Sequence, residues 1–131
     1  MITNPNPKMK ISSMAGLLAM VAALILGGTS ADAHPRIITA DPAVRGTVAA
    51  RPGRISITFS EPLFLRLCSV ALRDSAGHTL RTGPSVLAPS DSRQLITPIL
   101  APLTPGVYSV TWHAVAADTH RVQGVYTFTL Q

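Results

Sequence analysis

The residues best suited to chemistry are few: four histidines (His34, His78, His113 and His120), one cysteine (Cys68) and six acids. One acid and one histidine stand two apart as Asp118-Thr119-His120. In an extended segment, side chains at i and i+2 project to the same side. A carboxylate and an imidazole would then reach a common point, just after a strand expected over Val107–Val115. A third donor comes from the start of the chain. Residues 1–33 read as a cleaved export signal, with Lys8 and Lys10 ahead of the apolar run Ala15–Leu26 and Ala31-Asp32-Ala33 as the cleavage site. That run has only twelve apolar residues, against the ~20 needed to cross a bilayer. Cleavage would make His34 the first residue of a mature domain spanning 34–131.

An N-terminal histidine offers two nitrogens, its α-amine and its imidazole Nδ1, which close a chelate ring on one metal. With ordinary pKa values of ~8 for the amine and ~6.5 for the imidazole, both are available for binding near neutral pH. Pro35 follows and has no backbone N–H, so the chelate must stop at amine and imidazole. Together with Asp118 and His120 these groups form an N₃O set. A tetragonal N,O field suits Cu(II), and the affinity order of divalent ions also favours copper. A soft Cu(I) site would need clustered Met or Cys. All four methionines (Met1, Met9, Met14 and Met20) fall in the expected signal, which leaves Cys68 as the one soft donor. Two blander readings stand beside this one. A cleavage site can place His at a terminus by chance, and an isolated D-x-H is also what a solvated turn carries.

The elements that must position these residues have a period of two. In Arg54–Ser60, Ile55, Ile57 and Phe59 share one face; in Val107–Val115, Tyr108, Val110, Trp112 and Ala114 do. Cys68–Asp74 and Val122–Leu130 alternate likewise, and weaker strands fit Arg36–Ala40, Thr79–Arg81 and Gln94–Ile99. Turn signals such as Arg51-Pro52-Gly53 and Thr104-Pro105-Gly106 punctuate them. The expectation is an all-β fold, an immunoglobulin-like Greek-key β-sandwich or barrel of about seven strands, without the Cys pair of an antibody domain. Of the 131 residues, 47% are hydrophobic and 13% charged, which excludes a disordered chain. One cysteine excludes an internal disulfide framework and any multi-cysteine zinc site. The net charge of +5 includes Lys8 and Lys10 of the expected signal; in 34–131 the cations are nine arginines scattered singly from Arg36 to Arg121 with few aromatics between them, so no nucleic-acid partner is expected. The charge reads as solubility, with weak attraction to an anionic membrane surface. Among the other candidates, Cys68 is expected in the core beside Val70 and Leu72, and Trp112 as the core tryptophan. His113 belongs to the opposite, outer face, and His78 to a hairpin turn.

Taken in order, His34-Pro35, Ala40-Asp41-Pro42-Ala43, Phe59-Ser60-Glu61-Pro62, Pro105-Gly106-x-Tyr108-x-Val110-x-Trp112, Asp118-x-His120 and Gly124-x-Tyr126-x-Phe128 form a long collinear pattern. It resembles the CopC-like periplasmic copper-binding proteins over the whole of 34–131. The resemblance implies a periplasmic carrier or buffer of Cu(II), in copper homeostasis or resistance, that holds the ion without turnover. It places the metal on His34, Asp118 and His120, with Glu61 close by to hydrogen-bond the amine or a ligand imidazole. It also implies an inner-membrane copper importer of the CopD type as a partner. A single domain of this size is expected to be a monomer. Two departures stand out. Members commonly read D-G-H-P, whereas Thr119 and Arg121 stand here, so a positive φ at Thr119 would be strained. The loop Arg81–Arg93 has no methionine, so the Cu(I) site of some members is expected to be absent. Other classes remain: a metal-free structural module of the same fold, and a copper oxidoreductase with an N-terminal histidine brace. Against the oxidoreductase, Asp118 would close the open position that an oxygen-activating metal needs.

Overall fold

A computed structural model describes residues 35–131, and the expected signal and His34 lie outside the described residues. Nine strands follow one another: β1 (Ile37–Asp41), β2 (Thr47–Val48), β3 (Arg54–Phe59), β4 (Ser69–Arg73), β5 (Thr79–Leu80), β6 (Val86–Ala88), β7 (Asp91–Pro98), β8 (Gly106–Val115) and β9 (Arg121–Leu130). A single 3₁₀ turn, Leu65–Leu67, precedes β4. The strands form two sheets, one in the order β1-β3-β7-β6 and the other β2-β9-β8-β4-β5. All pairings are antiparallel except β2 on β9. Only β4–β5, β6–β7 and β8–β9 are joined as neighbours, while the links β1→β2, β2→β3, β3→β4, β5→β6 and β7→β8 cross between sheets. This is the two-layer, crossover-connected sandwich expected of the sequence, with nine strands in place of about seven.

The alternation explains the layers. Ile55, Ile57 and Phe59 of β3 are fully buried, and Tyr108, Val110 and Ala114 of β8 meet them with Tyr126, Phe128 and Leu130 of β9. Burying these faces is the main driving term, at ~25 cal/mol per Å² of apolar surface. Tyr108 lies parallel to Phe128 at 5.4 Å between ring centroids. Its hydroxyl donates to the Thr104 carbonyl at 2.6 Å and accepts the Thr104 N–H at 2.9 Å, which pins the β7–β8 crossover onto the sheet. Trp112 is not the sealed core residue that the alternation suggests. It is half-buried, with its edge on Phe59 of the opposite sheet at 5.2 Å, and its ring lies across Gly124. A Cβ at 124 would come within 2.6 Å of the Trp112 ring, so only glycine fits beside it on β9. Cys68 also departs from expectation: it packs against the core but is half-buried, because the chain leaves the 3₁₀ turn there.

Candidate metal centre

The β8–β9 hairpin is the longest pairing in the fold, ten residues a side from Gly106↔Leu130 to Val115↔Arg121. Beyond its last rung, Ala116 N–H donates to the His120 carbonyl at 2.9 Å, and Thr119 N–H to the Ala116 carbonyl at 2.8 Å. Residues 117–119 therefore form a three-residue hairpin loop, whose third position turns left-handed. That position is Thr119, with φ of 76°. A β-branched residue is strained there, by about 1–2 kcal/mol relative to a right-handed conformation.

The turn brings Asp118 and His120 together, though by a route other than extended i, i+2 geometry. Asp118 Oδ1 accepts the backbone N–H of His120 at 3.2 Å, and Oδ2 meets the ring Nδ1 at 2.8 Å. Both side chains are about half exposed, at 51% and 49%. The contact with the imidazole, backed by the His120 N–H, holds the Asp118 carboxyl below the usual range. An ionised carboxylate is thus kept ready beside the ring. For one metal to take both groups, this Oδ2–Nδ1 contact has to open, so that the carboxylate and the imidazole turn to a common point.

Two other strands of chain converge on this loop. Pro62 accepts the Ala117 N–H at 2.9 Å, and Phe64 N–H donates to the Val115 carbonyl at 2.8 Å, so the segment after β3 runs alongside the hairpin end. Just before it, Ser60 N–H donates to the Arg36 carbonyl at 2.8 Å, and Arg36 N–H donates to Ser60 Oγ at 3.0 Å. Only two residues, at most ~7 Å of extended chain, separate Ser60, which holds Arg36, from Pro62, which holds Ala117. Glu61 lies between them, half-buried. Its charge reaches Arg93, whose guanidinium pairs with Asp91 at 3.1 and 3.2 Å. No group of three or more His, Cys, Asp and Glu side chains is assembled among the described residues. Asp118 and His120 supply one carboxylate and one imidazole, and a closed site needs further donors.

The remaining candidates sit elsewhere. His78 is in the β4–β5 turn, where Asp74 Oδ2 meets its Nδ1 at 3.1 Å and Oδ1 accepts the N–H groups of Ala76 and His78. That turn caps the end of β4–β8 remote from Asp118, since Arg73 pairs with Ser109 and Ser69 with His113. His113 is exposed on the outer face, with Nδ1 3.4 Å from Ser69 Oγ. Cys68 Sγ accepts the Val115 N–H at 3.4 Å and lies 3.4 Å from the Phe64 carbonyl; burial pushes its pKa up, only partly offset by that N–H. Such a thiol is a poor thiolate donor near neutral pH.

Comparison with known proteins agrees with this architecture. The CopC domain model matches residues 37–131. Protein YobA of Escherichia coli K12 is 32% identical over 99 residues, which cover 76% of this chain and 80% of YobA. Copper resistance protein C of Xanthomonas campestris pv. juglandis is 34% identical over 124 residues, 91% of this chain and 96% of that protein. Among solved structures, PcoC, a methionine-rich copper resistance protein from Escherichia coli, superposes with a TM-score of 0.67 at 30% identity, over 76% of this chain and all of that one. The chain belongs to the CopC domain family, a family of copper resistance proteins. In contrast to the methionine-rich PcoC, this chain has no methionine after residue 20.

Proposed function

We propose that this protein is an exported, periplasmic Cu(II) carrier or buffer in copper homeostasis, holding the ion on His34, Asp118 and His120 without turning over a substrate. The observation that carries the reading is the Asp118–His120 pair, 2.8 Å apart on an exposed hairpin loop at the end of the sandwich that Arg36 also reaches. His34 is two residues before Arg36. Removal of residues 1–33 would give it a free amine, so that one residue adds two nitrogens to the imidazole and carboxylate of the loop. Glu61, between the two junctions, is the carboxylate we assign to hydrogen-bond that amine. These donors are hard or borderline, and such a mixture suits Cu(II) rather than Cu(I). A set that includes an anionic oxygen holds and releases the ion, which fits a monomeric carrier delivering copper to an inner-membrane importer of the CopD type.

Electron paramagnetic resonance of the Cu(II)-loaded protein, with competition titrations of variants, tests the assignment. His120→Ala removes an equatorial nitrogen and should change the copper hyperfine pattern. Asp118→Ala removes an oxygen that water partly replaces, and should weaken binding by about 10–100-fold with a smaller spectral change. His78→Ala, which breaks an Asp–His pair at the far end of the sheet, should do neither. An equal loss at His78 contradicts the reading.

A further inference from the structure

The outer face of the β8–β9 hairpin carries a feature that copper binding does not use. A hollow of about 320 Å³ is lined by His113, Arg121 and Gln123 together with Leu67 and Val115. A second, of about 230 Å³, adjoins it and shares His113 and Gln123. None of the residues lining either hollow is acidic. Arg121 is exposed and makes no ion pair among the described residues. Gln123 and Arg121 alternate along β9 onto the same face, and His113 stands directly across from Gln123 on β8. A guanidinium and an amide thus edge one side of a partly apolar hollow, and the exposed Leu67 edges it as well.

We propose that this hollow binds a single carboxylate carried on a short apolar body. Arg121 supplies the planar fork that matches a carboxylate, Gln123 and His113 supply hydrogen-bonding contacts, and Leu67 and Val115 receive the body. A single guanidinium suits a monocarboxylate better than a doubly charged phosphate. The volume lies at the lower end for small-molecule sites, which fits a ligand of a few carbon atoms. Two sources share this chemistry: a free branched-chain acid, and the C-terminal carboxylate of a peptide ending in a branched residue. In the second case the adjoining hollow would take the preceding residue.

The test is a titration of isotope-labelled, copper-free protein followed by nuclear magnetic resonance, with isovalerate, isovaleramide, acetyl-Gly-Leu, its C-terminal amide, and inorganic phosphate. The acids should shift the resonances of His113, Arg121 and Gln123 with dissociation constants on the order of 1 mM, and the two amides should not. Arg121→Gln should weaken binding about tenfold or more, and Leu67→Ala should weaken isovalerate by a smaller factor. Binding of isovalerate assigns the site to free acids as well as termini, whereas binding of the peptide alone assigns it to a chain terminus. Amides binding as tightly as acids, phosphate binding more tightly than isovalerate, indifference to Arg121→Gln, or no shift with either acid would overturn the proposal.

Discussion

Among individual side chains, the donors present decide which oxidation state of copper can be held. Asp118 and His120 offer oxygen and nitrogen, and the only sulfur after Met20 is Cys68. That sulfur is half-buried, engaged by the Val115 N–H, and shifted away from the thiolate form by burial. A lone thiol of this kind cannot gather the two or three soft donors that Cu(I) prefers. The protein should therefore give up its copper on reduction. An anaerobic titration against a Cu(I)-specific chelator checks this on the wild type and on Cys68→Ser. Both should lose Cu(I) alike; retention by the wild type alone would make Cys68 a ligand. That Asp118 and His120 meet was legible in the D-x-H spacing. The way the two meet was not legible, because it depends on a hairpin turn and not on strand alternation. Cys68 looked interior for the same reason: periodicity reports which face a residue is on, not how far the neighbouring turn covers it.

At the scale of an element, the β8–β9 hairpin carries local strain in the loop that brings Asp118 and His120 together. Thr119 occupies the left-handed position of its loop at φ of 76°. Replacing it with glycine relieves the Cβ clash at some cost in unfolded-chain entropy, whereas alanine keeps the clash. Thr119→Gly should thus be more stable than Thr119→Ala by about 1 kcal/mol, read by chemical denaturation. An alanine variant as stable as the glycine variant would mean that the loop does not hold this residue left-handed. The long strands were evident from their period-two patterns, and the strain at Thr119 could be anticipated from the glycine found there in the resembling family. The short strands were not. Thr47–Val48 and Val86–Ala88 have two and three residues, too few for alternation to register, and they exist because the edges of β9 and β7 are there to pair with. Gly124 gave no signal of its own, since its role is defined by the Trp112 ring on the neighbouring strand.

For the molecule as a whole, the same sandwich that presents the loop also buries a group that ties stability to alkaline pH. Tyr126 is 5% exposed, and its hydroxyl has no hydrogen-bond partner among the described residues. Burial, with the Asp41 charge adding to it, pushes its pKa well above the ordinary ~10 of a phenol. The folded-state value is raised, so the stabilisation is fully present below pH ~10 and is lost as pH rises from there toward the folded-state pKa. Unfolding free energy should fall with pH above ~10 in the wild type and fall less steeply in Tyr126→Phe. At neutral pH the phenylalanine variant gives up no hydrogen bond, so it should match or exceed the wild type, by up to about 1 kcal/mol. Equal slopes in the two proteins would show that Tyr126 ionises without opening the core.

The central claim, that copper is chelated by the amine and imidazole of a terminal His34 together with the Asp118–His120 loop, is tested most directly by moving the amine one residue. Cu(II) affinity is measured by competition titration on protein beginning at His34 and on protein carrying one extra glycine before it. The extension leaves every side chain in place and turns the His34 α-amine into a peptide amide, so the amine–imidazole chelate of that residue is lost. The account predicts a loss of more than about a hundredfold, beyond the ~10–100-fold typical of losing a contact one step removed from a metal. Equal affinity in the two proteins would contradict it.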